Sequence, residues 1–575
     1  MSLSPLPLSP DSRRRALATM ATTELDVLVV GGGVVGAGVA LDAVTRGLTV
    51  GLVEARDYAS GTSSRSSKLV HGGLRYLKQL NFALVFEALR ERSLILDTLA
   101  PHLARPVEFL YPLERRVLDR AWVGAGVGVY DVLGAGRGVP SHHRHLSRKR
   151  TLEAFPGAKR GAVHGGVSFY EGQLDDARHT MTLARTAASH GALCANSARV
   201  TGFLRDGDRV VGAHILDVET GTEIDVRAKR TVNAAGAWTG EIQEMLGDRL
   251  DFRVRASKGV HIVVPRDRID SRVGIITETE KSLLFVIPCP WSDEHWVIGT
   301  TDTGWDFDLA HPAASQADID YILDQTNALL QTPLTRDDIV GVYAGLRPLL
   351  AGDTDNTASL SREHAVASPV KGLVIVAGGK YTTYRVMAKD AVDEAVRGTD
   401  VEASRTDRLL LLGADNYREL WAARARLAAE TGLDVATVEH LLGRYGSAIT
   451  ELIAMINADP SLAEPIPSGA RYLRAEARYA ASHEGACHLD DVLTRRTHIA
   501  IETPDRGIRA ASAVAELVAP VLGWDETTVE REVERYRARV EAELAAQYQP
   551  DDRSADAARL GAPDARAAVV AAQVG

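Results

Sequence analysis

The sequence predicts an α/β protein that ends in a separate all-helical region, and three observations support this. A short apolar run, Leu25–Val30, precedes the glycine-rich turn GGGVVG and a helical stretch that ends near Gly47. Glycine is frequent, at 50 of 575 residues, while aromatic residues make up 5%, which is typical of a fold with many tight backbone turns. After about residue 405, alanine, arginine and leucine dominate, and amphipathic helical spacing replaces the strand patterns.

Composition and charge exclude several classes of protein. The length of 575 residues corresponds to about three to four domain-sized units. The net charge of −10, from 66 basic and 76 acidic residues, argues against a nucleic-acid partner, because such partners require a dominant positive field. Three widely separated cysteines without a CxxC motif predict neither a disulfide scaffold nor a metal site. No run of 18 or more uncharged apolar residues occurs, so we expect no transmembrane helix.

The turn after the first strand carries the dinucleotide-binding fingerprint Gly31-x-Gly33-x-x-Gly36. Gly31 allows the tight turn, Gly33 lets a pyrophosphate approach the backbone, and Gly36 lets the helix pack closely on the sheet. The helix N-terminus then offers free N–H groups and its positive dipole end to the phosphates. A second strand, residues 48–53, ends at Glu54, which can accept hydrogen bonds from a ribose hydroxyl. The pattern predicts dinucleotide binding, but FAD and NAD share it.

A serine-rich loop, residues 62–67, leads into HGGLRY at residues 71–76. The hydroxyls of Ser63 and Ser67 and the bare backbone of Gly72 and Gly73 can reach a pyrophosphate or a flavin ring. A flexible surface loop is the alternative, since serine and glycine favour one. Apolar neighbours such as Leu69 indicate instead that the segment packs against the rest of the protein.

Further strand patterns follow. Residues 193–231 contain short strand-like pieces separated by DGD and TGT turns, which predict a small meander. Residues 252–365 are again rich in strand patterns. The run GLVIVAGG, residues 372–379, predicts a third buried strand with a glycine exit, followed by a helix over 384–397. This exit is either a second approach to a cofactor or an ordinary strand-to-helix turn.

Taken together, six blocks resemble FAD-dependent, quinone-linked glycerol-3-phosphate dehydrogenases. In the family's order they are GGGVVGAGVALDAVTRGLTVGLVEA, SSRSSKLVHGGLRYL, TVNAAGAWT, YAGLRPL, SREH and GGKYTTYRVMA, and DDVLTRRT at residues 490–497 resembles the C-terminal domain. The resemblance implies FAD as the cofactor. It also implies a Rossmann-like FAD-binding domain of the glutathione-reductase/D-amino-acid-oxidase type, with an inserted mixed-sheet substrate domain and a C-terminal all-α domain.

These features together suggest the following domain boundaries. We expect a disordered leader over 1–24, a discontinuous FAD-binding domain over 25–99, 151–251 and 366–400, a substrate-binding domain over 100–150 and 252–365, a helical domain over 405–548, and a flexible tail over 549–575. The leader is rich in Ser, Pro and Arg and lacks the apolar segment and cleavage site of a secretion signal. The tail has no clear apolar stripe.

The resemblance also implies the substrate, glycerol 3-phosphate, and the residues that contact it and the cofactor. A phosphate ester carries nearly two negative charges and requires fixed cations. The matching blocks supply Arg75, Arg347, Arg362 and Lys380, with a hydroxyl from Tyr76. The fingerprint, the second strand and the serine-rich segment already supply candidate cofactor contacts: Gly31, Gly33, Gly36, Glu54, Ser63, Ser67, Leu69, Gly72 and Gly73. The matching blocks supply five more: Gly236, Gly378, Gly379, Lys380 and Thr382.

Three residues are the catalytic candidates: His261, Arg347 and Lys380. His261, in SKGVHIVVP, matches an active-site histidine of the family, and an unperturbed histidine has a suitable pKa for a base. A strand histidine bonded to a neighbour is an equal alternative. Arg347 is an alternative aid to proton removal, or it polarises the alcohol oxygen. The histidine tract at residues 142–145 suggests a metal, but its polar loop without carboxylates favours a solvated surface.

The family passes electrons to a membrane quinone from a peripheral position, so the resemblance implies a quinone and the inner-membrane lipid surface as partners. Arg144, Arg148, Lys149 and Arg150 form the densest basic run. Near anionic lipid each adds about 1 kcal/mol, although such a run is more often a solvated face. The chain lacks the EF-hand loop of the mitochondrial relatives. We therefore expect a bacterial-type enzyme, peripherally attached to the cytoplasmic face of the membrane, with a homodimer as a further option.

Two other functions remain open. A soluble oxidase that uses O₂ and makes hydrogen peroxide would share every FAD and phosphate residue. Such oxidases tend to carry an insertion after the GLRPL block, and here Arg347 and Arg362 are only 15 positions apart, which favours the dehydrogenase. A non-catalytic flavin-binding protein would require an incomplete set of cations and histidine, whereas every matched position carries its expected residue.

Overall fold

A computed structural model describes residues 5–73, 81–113, 128, 143–247, 253–280, 283–350 and 364–566. Its first sheet contains the apolar runs that the sequence predicts as buried strands. Across the sheet the order is His364–Val370, Leu373–Gly378, Thr222–Asn233, Leu25–Val30, Val50–Val53 and Leu193–Ala195. The last five pair in parallel. Parallel strands are covered on both faces, which explains their continuous apolar sequences.

Helices and a meander complete this domain. Helix Val34–Thr45 packs between Asp176–Ser189 and Tyr384–Ala395 on the sheet. Strands Ala198–Asp206 and Arg209–Asp217 continue antiparallel into Thr222–Asn233. The predicted meander is therefore confirmed. Two further helices of this part of the chain are Phe82–Leu94 and Thr239–Glu244.

The segment before the first strand is a packed helix, Pro10–Met20. Ser9 caps it, because its hydroxyl accepts from the Ser12 N–H at 3.2 Å. Leu17 and Met20, one helical turn apart, are buried, and the Met20 sulfur lies 2.8 Å from where a Cβ on Gly51 would be. The prediction of a disordered leader over 1–24 is wrong for this helix, since a narrow apolar stripe suffices to dock it on the sheet.

The second sheet is larger and mostly antiparallel. Its order is Thr303–Gly304, Val254–Pro265, His295–Gly299, Leu283–Pro288, Gly274–Glu278, Ala104–Pro112, Gly165–Leu174 and Leu69–Val70, with Gly341–Leu350 beside Val254–Pro265 and Arg144–Ser147 beside Gly165–Leu174. The assignment of all of 151–251 to the FAD-binding domain is wrong for Gly165–Leu174, because this strand pairs with Ala104–Pro112 along its length. Helices Arg148–Ala154 and Gln316–Asn327 belong to this part of the chain.

The C-terminal region is helical, as predicted. Its helices of six or more residues are Tyr417–Ala422, Arg424–Thr431, Val435–Tyr445, Ile449–Ala458, Arg474–His483, Ile508–Leu522, Glu526–Ala546 and Asp552–Arg559. The prediction of a flexible tail over 549–575 is wrong for Asp552–Arg559. Asp552 forms an ion pair with the fully buried Lys258, which also contacts Asp318 at 2.6 Å. Ala555 is also fully buried and packs with Trp305 and Leu346, so a short apolar contact and a buried ion pair together dock this helix. No helix in the described part of the chain is long and apolar enough to cross a membrane.

Candidate active site

A cavity of about 600 Å³ lies at the carboxyl ends of the parallel strands and reaches the second sheet. This edge is where open α/β sheets bind their ligands. Most of the residues predicted from the sequence line it together. They are Gly31, Gly33, Glu54, Ser63, Ser67, Leu69, Gly236, His261, Arg347, Gly378, Gly379, Lys380 and Thr382.

Six other predicted residues are placed differently. A Cβ on Gly36 would lie 1.8 Å from the Gly31 carbonyl oxygen, so Gly36 serves the close packing of helix on turn. Gly72 and Gly73 are not among the described residues that line the cavity, and the Gly72 N–H faces Glu171 at 3.3 Å. The remaining three, Arg75, Tyr76 and Arg362, lie outside the described residues.

The glycine turn presents bare backbone to the cavity. Gly31 has φ +108°, and a Cβ there would lie 2.7 Å from the carbonyl oxygen of Ala234. Gly33 is the N-cap of helix Val34–Thr45 and brings no side chain of its own. The hydroxyl of Ser63 accepts the Val34 N–H at 2.9 Å. The positive end of the helix dipole therefore faces the cavity beside a residue without a side chain, which suits a pyrophosphate.

The carboxylate of Glu54 is fixed at this wall by two backbone donors. It accepts from the N–H of Gly32 at 2.6 Å and from the N–H of Arg56 at 2.8 Å. Burial raises the pKa of Glu54. Each carboxylate oxygen has a second acceptor position, so a ribose hydroxyl can bind while both backbone contacts remain.

The serine loop is packed, as its apolar neighbours indicate. Asp176 is fully buried and accepts from both the N–H and the hydroxyl of Ser66, at 3.0 and 2.7 Å. The ammonium group of Lys68, 1% exposed, forms an ion pair with the same carboxylate. Asp176 thus anchors the segment that carries Ser63 and Ser67. It follows no motif in the sequence and was missed.

His261 is a strand histidine bonded to a neighbour, and it also faces the cavity, so its catalytic role stays a prediction. It lies in strand Val254–Pro265, its Nε2 is 2.8 Å from the Ser67 hydroxyl, and its ring stacks on Tyr343 at 4.8 Å. It also lines the cavity. Its buried Nδ1 has no hydrogen-bond partner among the described residues. Burial first, and then the charges of Arg347 and Lys68, hold the pKa of His261 far below its usual value. The imidazole is therefore neutral near pH 7, and the same burial and charges make it a weaker base than a solvated histidine.

Arg347 projects from strand Gly341–Leu350 toward the strand beside it. It donates to the Thr300 hydroxyl at 3.0 Å and to the Thr301 carbonyl oxygen at 3.1 Å. A Cβ on Gly259 would lie 2.6 Å from its Nη2, so this glycine makes room for the guanidinium. The side chain is 23% exposed, which leaves it accessible to a ligand in the cavity.

The glycine turn after strand Leu373–Gly378 brings Lys380 to the same cavity. Gly378 and Gly379 have φ of +76° and +72°, a conformation that favours glycine. Just after them, the Thr382 hydroxyl donates to the His71 carbonyl oxygen at 3.2 Å, and the Tyr381 hydroxyl donates to the Asp176 carbonyl oxygen at 2.8 Å. The turn is therefore bound to His71, which follows the serine loop, and to the helix that begins at Asp176.

Sequence reasoning missed other residues of the cavity wall. Trp238 lies within the TVNAAGAWT block and Met245 follows it, so the block offered a signal for both. Arg65 lies inside the serine motif but was not singled out. Asp564 comes from the region predicted as a flexible tail; its carboxylate contacts Arg56 and lies 3.1 Å from His311. No local pattern marks this residue.

Comparison with known proteins agrees with this geometry. Residues 26–393 match the family model described as FAD dependent oxidoreductase, and residues 404–529 match the C-terminal domain of alpha-glycerophosphate oxidase. The chain is 57% identical to glycerol-3-phosphate dehydrogenase 2 of Mycobacterium tuberculosis, over 98% of this chain and 96% of that protein. The chain belongs to the FAD-dependent glycerol-3-phosphate dehydrogenase family. It is also 36% identical to the mitochondrial glycerol-3-phosphate dehydrogenase of Homo sapiens, over 93% and 75% of the two chains.

The fold agrees with a solved structure of this family. The glycerol-3-phosphate dehydrogenase from Bacillus halodurans complexed with FAD superposes with a TM-score of 0.77, at 30% identity, over 93% of this chain and 98% of that one. The predicted family, fold class and FAD dependence are confirmed. The residues fit the cofactor: a bare glycine turn, the N-terminus of helix Val34–Thr45 and a carboxylate held by two backbone N–H groups line one cavity.

Proposed function

We propose that this protein oxidises sn-glycerol 3-phosphate to dihydroxyacetone phosphate with FAD and passes the electrons to a membrane quinone. The observation that carries the proposal is that His261, Arg347 and Lys380 line the same cavity as the dinucleotide turn. A neutral proton acceptor and two cations beside a flavin site suit an alcohol that carries a phosphate. The names of the relatives supply the substrate.

Each part of the cavity wall has a role in holding the cofactor. We assign the pyrophosphate to Gly31, Gly33 and Ser63, and the ribose hydroxyls to Glu54. The flavin and ribityl parts are assigned to Ser67, Leu69, Gly236, Gly378, Gly379, Lys380 and Thr382, whereas Gly72 and Gly73, which do not line the cavity, receive no contact with the cofactor. Gly36 supports the pyrophosphate turn through its packing on Gly31. When bound, FAD supplies a two-electron hydride acceptor.

The protein's own residues handle the proton and the phosphate. The alcohol becomes a ketone when C2 gives up a hydride and its hydroxyl gives up a proton. Neutral His261 takes the proton, with its ring held by Ser67 and Tyr343. Arg347 and Lys380 hold the phosphate, joined by Arg75, Tyr76 and Arg362 from outside the described residues. The guanidinium of Arg347 also polarises the alcohol oxygen if the substrate lies along it.

The acceptor and the location complete the proposal. We infer a peripheral position on the cytoplasmic face of the membrane, with quinone as the electron acceptor. The basic residues Arg144, Arg148, Lys149 and Arg150 are exposed, so they can approach anionic headgroups. Phe82 and Phe86, one turn apart on one helix, are 46% and 44% exposed and offer apolar contact with lipid.

The test uses the purified, FAD-loaded full-length protein. Under anaerobic conditions, glycerol 3-phosphate should bleach the visible absorbance of the bound flavin, whereas glycerol should not. Absence of bleaching by the phosphate ester would overturn the assignment. The reduced protein is then mixed with a quinone analogue or with air. Faster re-oxidation by the quinone analogue supports the dehydrogenase, and faster re-oxidation by air indicates the oxidase.

A further inference from the structure

A second, smaller cavity of about 80 Å³ adjoins the serine loop at Arg65. It lies where the loop, the second sheet and the C-terminal helices meet. Four arginines from distant parts of the chain line it: Arg65, Arg506, Arg539 and Arg559. None of the other three lines the cofactor cavity, and Arg65 borders both.

Arg506 is the most unusual of the four. It is 7% exposed, and its Nε and Nη1 are buried without a hydrogen-bond partner among the described residues. Burial lowers the pKa of Arg506 to about 10. Guanidinium donors that are buried and unsatisfied cost free energy, so their presence on a cavity wall points to an acceptor that binds there.

The positive charge of the Arg65 guanidinium is also poorly compensated. Its contacts with the described residues are long, 3.4 Å to the carbonyl oxygen of Ala344 and 3.5 Å to that of Ala310. Burial and the neighbouring charge of Arg539 lower the pKa of Arg65 to about 9. A second, half-buried guanidinium on the same wall therefore has carbonyl contacts in place of a carboxylate among the described residues.

Carboxylates only partly balance the cluster. Glu543 lies 3.0 Å from Arg539 and 3.4 Å from Arg559, and Asp490 forms an ion pair with Arg539. Arg539 and Arg559, with the nearby Arg65, lower the pKa of Glu543 to about 2, so it is ionised. Among the described residues that line the cavity, four guanidinium groups face one carboxylate, Glu543, because Asp490 lies outside the lining and is shared with Arg495. The cavity wall therefore carries an excess of positive charge.

We propose that this cavity binds a phosphate-class oxyanion at a site separate from that of the substrate phosphate. Such an anion carries up to two negative charges and four tetrahedral acceptor oxygens, which match the excess charge and the fork geometry of arginine. A single water needs about 10–15 Å³ by the same measure, so the cavity has room for the four oxygens. Inorganic phosphate and a small phosphomonoester share this chemistry.

Occupancy would connect parts of the chain that are far apart in sequence. Arg559 belongs to the last described helix, Arg539 to the long helix before it, and Arg65 to the loop that carries Ser63 and Ser67. A bound anion would therefore stabilise the C-terminal helix against the cofactor-binding loop. We expect the apparent melting temperature to rise with phosphate concentration.

The test is equilibrium dialysis of radiolabelled inorganic phosphate against four FAD-loaded full-length proteins: wild type, Arg347→Ala, Arg506→Met and the double variant. We expect two phosphates per wild-type chain, one for each single variant and none for the double variant. If Arg347→Ala binds no phosphate, the second site does not exist. If Arg506→Met alone loses a phosphate while Arg347→Ala loses none, the second site stands and the proposed substrate contact of Arg347 fails.

A matched control and a second variant keep the result independent of folding defects. Arg553, exposed on the helix that carries Arg559, supplies the control: Arg553→Met should bind as wild type does, and Arg559→Met should lose one phosphate. Equal binding by these two proteins would overturn the site. Displacement of the label from Arg347→Ala by glycerol 2-phosphate supports a phosphomonoester ligand, and retention of the label supports free phosphate.

Discussion

The glycine turn at residues 31–36 and the C-terminal segment at residues 552–566 both form the cofactor cavity or its surroundings, but they are held in different ways. The turn depends on backbone geometry: Gly31 has a positive φ, and Gly36 packs directly on the Gly31 carbonyl. The segment depends on ion pairs between residues far apart in the chain: Arg566 pairs with Asp491, 75 positions away, and Asp564 pairs with Arg56, 508 positions away.

This difference teaches that a binding site can combine a locally encoded half with a half that exists only in the folded protein. Backbone requirements leave a mark in the sequence, because only glycine meets them. Buried ion pairs leave none, because Arg and Asp occur throughout the chain. The glycine turn should therefore tolerate almost no side chain at its glycine positions. The C-terminal segment should lose a few kcal/mol of stability for each buried ion pair that is broken.

The largest effect is expected for Gly36→Val. A Cβ at this position would lie 1.8 Å from the Gly31 carbonyl oxygen, so the turn cannot keep its shape and FAD should be lost. The flavin absorbance of the purified protein measures the loss. Gly240→Ala is the matched control, because a Cβ there meets nothing within 4 Å. Retention of FAD by Gly36→Val would show that the turn is less constrained than its geometry indicates.

His261→Asn should lower kcat by about 10²–10⁴-fold, the usual contribution of a general base, while FAD stays bound. The neutral ring accepts the proton in our proposal, and asparagine cannot. Stopped-flow measurement of flavin reduction by glycerol 3-phosphate separates this step from re-oxidation. Reduction at the wild-type rate would exclude His261 as the base and favour Arg347.

Arg566→Met tests the C-terminal half of the comparison. Arg566 and Asp491 are both almost fully buried, at 2.8 Å, and removal of one partner of a buried pair costs about 3 kcal/mol. Arg495 still pairs with Asp491, which places the expected loss near the lower end. Urea unfolding of the FAD-loaded protein measures it. If this variant lost FAD as completely as Gly36→Val, the contrast between the two regions would fail.

Arg347→Ala should raise KM for glycerol 3-phosphate by about 10²-fold, because a charged hydrogen bond contributes about 1.5–3 kcal/mol and each 1.4 kcal/mol is tenfold. FAD should remain bound at the wild-type level. Steady-state kinetics with the flavin content as control decide between the two roles. Loss of FAD in place of a raised KM would assign this arginine to the cofactor.

The smallest effect concerns Glu502, where the helical domain meets the second sheet. It accepts from the Trp291 indole N–H at 2.7 Å, and burial raises its pKa to about 7. A carboxyl whose pKa is raised by folding contributes its full stabilisation of the folded protein below the pKa of the unfolded chain. This contribution is lost as the pH rises through the pKa of the folded state. Between pH 5 and 7.5, the free energy of unfolding of Glu502→Gln should therefore rise by about 2 kcal/mol relative to that of wild type. Parallel pH dependences of the two unfolding midpoints would contradict this.

Much of the first domain could be predicted from sequence. Strands Leu25–Val30 and Leu373–Gly378 and the residues around them were placed correctly, because buried parallel strands and glycine turns follow local patterns. The assignment of strand Gly165–Leu174 was wrong, since its partner is more than fifty residues away. Nothing in a local pattern states which sheet a strand joins.

For the site, the sequence by itself determined the glycine turns and the position of Glu54 after the second strand, and its resemblance to the family supplied His261, Arg347 and Lys380 as candidates. The tertiary structure alone decided that Asp176 anchors the serine loop, that His261 is neutral, and that Asp564 reaches the cofactor cavity. The physical reason is the separation along the chain of the residues that each interaction involves. Steric and backbone requirements act between neighbours in the chain, whereas burial and ion pairing depend on which distant residues the fold brings together.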